Sequence, residues 1–395
     1  MGRIPDYFGV SAFGIKMGVI VPGTDLIAMV CESLSNVMKD GFLDDGDTIC
    51  ITESVVARAQ NNFVTVEDIA LEVRNKMGIK LDSKIGVLFP ILSRNRFSLI
   101  MKGLAAAVPE GEVLVQLSFP ADEVGNQILP YDYAEELGKT NGDTISLDEI
   151  GPNRFKHPIT GVDYIDLYEN LIRNEGSKPH IILNNDPLAI GEFGLDGIIV
   201  ASIHSRERSR KKLELRGYNC ITLQDICNQG PGSWSEWGLL GSNLSSANKL
   251  KLAPREADQL ADQVQARVRA EIGKNIQVIV YGDGAYCDPS TGIYELADPK
   301  PALGMTRGLR GKYREGLKYK YLVDKMLDEG LEIDKIELSL QAQKAQKFSK
   351  DSMETEGTTP RKVEDLIASL ADLVSGSADA ATPLIIVKGF INGIA

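Results

Sequence analysis

Gln277-Val278-Ile279-Val280-Tyr281-Gly282-Asp283-Gly284 is the stretch on which the reading of the fold turns. Its first five residues form a β-favouring run with no turn former among them, which predicts a buried strand. Gly282-Asp283-Gly284 then sets a carboxylate at the strand's C-terminal end. Open α/β sheets collect ligands at such edges, and a carboxylate there suits a hard cation carrying phosphate. Asp-Gly is also a common turn pair, so the spacing alone leaves an ordinary turn open. Upstream, Pro254 to Gly273 reads as an amphipathic helix with Leu260, Val264, Val268 and Ile272 on one stripe.

Residues 17–60 read as a compact unit. Gly23-Thr24-Asp25 is a turn that can cap a helix over Leu26 to Met38. Leu43-Asp44-Asp45-Gly46-Asp47 turns into Thr48-Ile49-Cys50-Ile51, a second buried strand, and Thr52-Glu53-Ser54 leads on to Arg58. Thr52 and Ser54 can donate hydrogen bonds and Arg58 offers a planar cationic fork, which together make a phosphate-facing edge. A helix cap at Ser54 beside a surface arginine is the plainer reading of the same residues. Thr65 to Asp68 has the spacing of a capping box and opens a helix to Met77. Ile85 to Leu92 and Glu112 to Phe119 are expected strands. Between them Ser93-Arg94-Asn95-Arg96 opens a helix, where two arginines could meet an anion.

The composition narrows the function classes. With 395 residues, 43% of them hydrophobic, the chain can bury a large core in two domains or one elaborated domain. A formal net charge of -12 argues against a nucleic-acid or acidic-membrane partner. The 5 cysteines are scattered without C-x-x-C spacing, which speaks against a zinc site or disulfide framework and for a reducing compartment. With 3 histidines, none at i, i+4 spacing, any metal is expected on oxygen ligands, favouring magnesium or manganese. No apolar run is long enough to span a bilayer, and Met1 to Asp6 lacks a signal-peptide core. The expectation is a soluble cytoplasmic protein.

From Pro120 to Pro179 periodicity weakens and turn formers multiply, which reads as an insertion or substrate-facing subdomain anchored by Tyr131, Tyr133, Tyr164 and Tyr168. Ile181 to Leu183 is a short strand ending at Asn184-Asn185-Asp186, and Gly197 to Ile203 is another. The basic run Arg206 to Arg216 reads as a solvated helix face, with contact to an acidic acceptor tail as the alternative. Gln229 to Asn243 is a glycine- and serine-rich loop, either a cover over a site or plain surface. Arg314 to Glu329 reads as a helix, Thr359-Pro360 opens a last one to Val374, and Pro383 to Val387 is a final strand. There is no complete Walker or dinucleotide fingerprint.

Three separated pieces together resemble the gamma-glutamyl ligase family of the deazaflavin coenzyme F(420), the F(420)-0:L-glutamate ligases. The first is Gly18-Val19-Ile20-Val21-Pro22-Gly23-Thr24-Asp25-Leu26 with Asp45-Gly46-Asp47-Thr48 and Ser54-Val55-Val56-Ala57-Arg58-Ala59, where Arg58 replaces the family's lysine. The second is Val278 to Asp283, with Gly284 in place of a threonine. The third is Gly376 to Gly389, including Pro383-Leu384-Ile385-Ile386-Val387-Lys388-Gly389.

The resemblance implies a mixed α/β (α+β) fold, with mixed sheets, flanking helices and a large central insertion, in an intertwined homodimer. It divides the chain into an N-terminal ligase-like region 1–119, an insertion 120–253 and a C-terminal region 254–395 with the metal site. It implies that GTP or ATP activates an acceptor's carboxylate as an acyl phosphate, which the amine of L-glutamate then displaces. Arg58 and Asp283 take the catalytic places. The metal ligands become Asp283, Asp186 and Asp379, holding Mg2+ or Mn2+, and Ser377 stands where the family often has a carboxylate. Val19, Ile20, Val21, Ser54, Arg58, Gly376, Ser377 and Asp379 would face the nucleotide. The small-molecule acceptor stays open between a deazaflavin, a folate and another carboxylate metabolite. A nucleotide- or metabolite-binding protein without turnover, and a metal-dependent phosphohydrolase, are the alternatives.

Overall fold

The structure, a computed structural model, describes residues 7–151, 154–157, 159–283, 286–287, 294–295, 298–314, 318–344, 361–375 and 382–391. The chain begins with β1 (Ser11–Ile15), α1 (Leu26–Lys39), β2 (Thr48–Thr52), α2 (Glu53–Ala59), β3 (Phe63–Val64) and α3 (Val66–Met77). An alternating segment follows: β4 (Lys84–Leu88), α4 (Arg94–Ala106), β5 (Glu112–Leu117), α5 (Tyr133–Glu136), β6 (Ile145–Ser146), α6 (Leu147–Ile150) and α7 (Tyr164–Asn174). It continues with β7 (Lys178–Leu183), β8 (Gly197–Val200), α8 (Arg206–Glu214) and β9 (Cys220–Thr222). Then come β10 (Asn243–Ser246), β11 (Lys249–Lys251), α9 (Ala257–Glu271) and β12 (Gln277–Tyr281). Last are β13 (Tyr286–Cys287), β14 (Tyr294–Glu295), β15 (Ala302–Met305), β16 (Tyr313–Arg314), α10 (Tyr319–Asp328), α11 (Ile333–Lys344), β17 (Arg361–Lys362), α12 (Val363–Ser375) and β18 (Leu384–Lys388).

The two ends of the chain share one five-stranded sheet in the order β1-β18-β2-β12-β15. Within it β2 and β12 run parallel, with Thr48 opposite Gln277 and Thr52 opposite Tyr281. Both faces of this sheet are covered, which is why its strands read as continuous apolar runs. Ile49, Ile51, Val278, Val280, Leu384 and Ile386 pack under α1 and α9, while Cys50, Ile279, Tyr281, Ile385 and Val387 meet α12. The α9 stripe is turned slightly from the expected one: Ala257, Ala261, Val264 and Val268 are buried, with Leu260 and Ile272 at its margins. Small residues at that face let α9 approach closely, and a Cβ on Gly304 of β15 would stand 2.4 Å from the backbone of Ala257.

Residues 84–222 supply a six-stranded sheet in the order β6-β7-β5-β4-β8-β9. Only β6 runs antiparallel. The parallel strands thus step outward from β4 through β5 to β7, then resume on its other side with β8 and β9. This is a doubly wound order with its switch between β4 and β8. The chain's own carboxylates occupy the loops there. Asp122 accepts N–H bonds from Leu92, Val124 and Asn126 at 2.7, 3.1 and 2.8 Å. Glu123 accepts from the N–H groups of Ile203, His204 and Ser205 ahead of α8.

Several expected boundaries shift for identifiable reasons. The strand expected over Ile85 to Leu92 stops at Leu88 because Phe89 adopts a left-handed φ of 54°. The strand from Gly197 stops at Val200, where the chain turns toward α8. The helix expected from Arg314 begins at Tyr319, and α10 packs on α11 through Leu322, Met326, Ile336 and Leu340. Of the four anchoring tyrosines, Tyr168 and Tyr133 are buried, Tyr164 is partly buried, and Tyr131 is 56% exposed. Most of the basic run forms α8, on which Arg208 and Lys211 are exposed, and Arg216 just past its end is exposed too, as a solvated face requires. Thr359-Pro360, expected to open the last helix, lies outside the described residues. Among the described residues no helix is long and apolar enough to cross a membrane.

Candidate active site

Because β2 and β12 are parallel neighbours, whatever follows each strand emerges at the same edge. Thr52-Glu53-Ser54 leaves β2 there and Gly282-Asp283 leaves β12. The antiparallel β18 starts at that edge too, since the Thr52 N–H donates to the Pro383 carbonyl at 3.0 Å. The result is a cleft of about 990 Å³, lined by residues from both ends of the sequence. The six-stranded sheet reaches it through α4, whose N-cap Ser93 accepts from the Arg96 N–H and fixes the first turn carrying Asn95 and Arg96. The small sheet β10-β11-β3 closes another side with Phe63, Asn243, Leu244 and Lys251.

Two charge clusters define the floor. Glu53 is buried and both its oxygens accept from Lys251 Nζ at 2.6 Å. Burial pushes the Glu53 carboxyl upward, and the Lys251 ammonium opposes the shift. In the second cluster the Arg96 guanidinium spans Asp283 and Asp298, reaching Asp298 Oδ1 at 2.7 Å. The other oxygen of Asp298 accepts the Asp283 N–H at 2.8 Å. Gly282 is needed for this approach, since a Cβ there would lie 2.2 Å from Asp298 Oδ2.

Arg58 differs from the other two cations. Its Nε–H donates to the Ile20 carbonyl at 2.8 Å, tying α2 to the 18–23 loop. Among the described residues it has no carboxylate partner, so its terminal N–H groups remain available at the cleft. Ser54 is exposed beside it. Of the residues expected at the site, Val19, Ile20, Ser54, Arg58 and Asp283 line this one cleft. Val21 stands next to it, half-exposed, its N–H donating to Thr24 Oγ1 at 3.0 Å. Asp186 is on the other sheet, just past β7, where its carboxylate accepts from the Leu188 N–H. It is not among the residues lining the cleft. Gly376, Ser377 and Asp379 lie outside the described residues.

Glu53, Lys251 and Asp298 were not legible as site residues. Glu53 sits inside the quoted Thr52-Glu53-Ser54 turn, and its apolar surroundings were the available signal. Lys251 and Asp298 are ordinary charges in sequence and gain meaning only through contacts 198 and 202 positions away.

The carboxylate and hydroxyl oxygens lining the cleft are donors of the kind a hard divalent cation takes, and Asp283 is a carboxylate there that could hold one. Thr382 Oγ1, buried at the cleft wall, has no hydrogen-bond partner among the described residues. No group of three His, Cys, Asp or Glu side chains that could hold a metal occurs among the described residues. Magnesium commonly takes one or two carboxylates and completes its shell with phosphate and water.

A mixed α/β chain whose two ends join in one sheet, with carboxylates and cations gathered at the strand ends, has the make-up of an enzyme acting on charged small molecules. Residues 14–389 match the F(420)-0:Gamma-glutamyl ligase family, and the chain belongs to that ligase family. No curated protein matches it. Among solved structures it is similar to E. coli tRNA N6-threonylcarbamoyladenosine dehydratase, TcdA, at 10% identity over 60% of this chain and 80% of that one. The same enzyme in complex with AMP matches at 11% identity over 54% and 74%. The TM-score is 0.23 in both cases, a likeness too slight to carry an argument.

Proposed function

We propose that this protein is a nucleotide- and divalent-metal-dependent amide ligase that joins L-glutamate or a similar amino acid to a carboxylate acceptor. The observation carrying the reading is the convergence of Arg58 and Ser54 with Asp283 in one cleft, brought there by the parallel pairing of β2 and β12. In the reaction, an acceptor carboxylate oxygen attacks the terminal phosphorus of GTP or ATP and the nucleoside diphosphate leaves. The amine of glutamate then attacks the acyl carbon and expels phosphate.

The residues suit the charge that moves. Among the described residues Arg58 retains free N–H groups for phosphate oxygens, and such fixed donors stabilise a transferring phosphoryl group without reorganising. Lys251 holds the buried Glu53 at 2.6 Å beside them, and Ser54 adds a neutral donor. Bound Mg2+ or Mn2+, held by Asp283, would neutralise phosphate charge. A homodimer in the cytoplasm belongs to the same reading.

Incubating the protein with GTP or ATP, Mg2+ or Mn2+, glutamate and candidate acceptors should yield an acceptor heavier by one glutamyl unit. Nucleotide hydrolysis should require acceptor and amine together and vanish in Asp283→Asn. Full metal-dependent turnover in Asp283→Asn would refute the site. One observation favours binding without turnover: Ser377 stands where the family often has a carboxylate. Tight nucleotide binding with no phosphate release for any acceptor would establish that reading instead. Phosphate release without an amine would indicate a phosphohydrolase.

A further inference from the structure

The Arg96 fork has two unlike partners. Asp298 is 2% exposed, and its two oxygens are occupied by Arg96 Nη1 and by the Asp283 N–H. Asp283 is 35% exposed and faces the cleft. One end of the guanidinium is therefore anchored in the interior, while the other neutralises the carboxylate that the cleft offers. Arg96 itself comes from α4 on the six-stranded sheet, and Asp283 follows β12 on the five-stranded one.

Arg96 already sits on Oδ2 of Asp283, so a divalent cation taken up by the same carboxylate would stand close to the guanidinium, and the two positive charges repel each other across it. Asp298 is closed to solvent and can retain Arg96 after Asp283 is given up. The arginine then has a free Nη2 beside the cleft, and guanidinium N–H groups pair well with phosphate oxygens. We propose that Arg96 is a positioning residue working by exchange of counter-ions. It orients Asp283 before a metal ion binds, yields Asp283 to the cation, and turns its released N–H toward the phosphate arriving with it. The inference rests on the reading of Asp283 as a metal ligand. It adds that the arginine opposes metal binding alone and assists nucleotide binding.

The test is Mn2+ titration of the full-length protein without nucleotide, followed by electron paramagnetic resonance of free Mn2+. Arg96→Met should bind Mn2+ about tenfold more tightly than the unaltered protein, even if its melting temperature falls. A merely structural arginine would give the opposite sign, because a loosened Asp283 binds metal less well. With Mn2+ saturating, Arg96→Met should lose about tenfold in affinity for GTP or ATP, whichever binds. Asp298→Asn weakens the anchor, leaves Arg96 to Asp283 alone, and should weaken Mn2+ binding; it also serves if Arg96→Met fails to fold. Unchanged or weaker Mn2+ binding in Arg96→Met, or unchanged binding in Asp298→Asn, overturns the proposal. Asp283→Asn separates the two levels. If it binds Mn2+ as well as the unaltered protein, the ligase site is misassigned. If it loses the metal while Arg96→Met gains nothing, only the exchange role of Arg96 fails.

Discussion

Lys251 Nζ lies 2.6 Å from both carboxylate oxygens of Glu53, and through this pair the last residue of β11 is bound to the first residue of α2. Each partner is at least nine-tenths buried, so neither can turn to water if the other is lost. Breaking a buried pair by removing one member costs about 3–5 kcal/mol, whereas replacing both can be nearly neutral.

Lys251→Met should therefore lower unfolding stability by about 3–5 kcal/mol in urea titrations. Adding Glu53→Leu to that variant should restore most of the loss. A double variant as unstable as the single one would show that the pair does not act as a unit.

A second buried pair lies at the opposite end of the same sheet. Lys388 reaches Asp47, donates to the Phe42 carbonyl at 3.0 Å, and sits 3.0 Å from Asp44. It joins the Asp45-Gly46-Asp47 turn to the end of β18, so two of the recognised sequence blocks meet through an ion pair remote from the cleft. Lys388→Met should destabilise the fold by about 3 kcal/mol or more and leave nucleotide affinity unchanged in calorimetry. A lowered affinity at equal foldedness would instead give Lys388 a role at the cleft.

Sequence periodicity revealed the strands that build the cleft because β2, β12 and β18 are buried on both faces and carry unbroken apolar runs. Helix starts were legible where a side chain caps them, as Thr65 and Asp68 do reciprocally for α3. Strand ends were less so. Nothing in Phe89 announces a left-handed backbone, and β4 consequently ends four residues early. The expected convergence of Arg58 with Asp283 came from the order of the family blocks. Arg96 was visible as a cation at a helix start, but its partners were not, since Asp298 lies 202 positions away, ahead of β15. Long-range ion pairs have no local periodicity, and they make up much of the floor of this cleft.

Asp122 gives a pH dependence whose sign can be worked out. Burial pushes its carboxyl up to about 6, although hydrogen bonds from Leu92, Asn126 and Val124 oppose the shift. In the unfolded chain the group titrates near 3.9. Between about pH 4 and pH 6 the folded state thus binds more protons than the unfolded one, and stability falls as pH rises through that window. The difference is on the order of 3 kcal/mol. Subtracting the pH profile of Asp122→Asn from that of the unaltered protein, by chemical denaturation, should isolate this decline. A flat difference would mean that the hydrogen bonds offset the burial.

Arg58 supports the sharpest ligand prediction, because its fork serves two tasks at once. Its Nε–H holds the Ile20 carbonyl at 2.8 Å, and its terminal N–H groups face the cleft without a carboxylate partner among the described residues. A hydrogen bond to a charged group contributes about 1.5–3 kcal/mol, and each 1.4 kcal/mol is about tenfold in affinity. Arg58→Met should weaken nucleotide binding about 10- to 100-fold with little change in unfolding midpoint, as Arg58 is exposed. Arg58→Lys should fall between the two. A single ammonium is a point charge without the planar fork, so it cannot hold the Ile20 carbonyl and present a bidentate face to phosphate together. Calorimetric titration of the three proteins with the same nucleotide decides the matter. Equal affinity across them would remove Arg58 from the phosphate site and leave Arg96 and Lys251 as the only cations lining the described cleft to carry that charge.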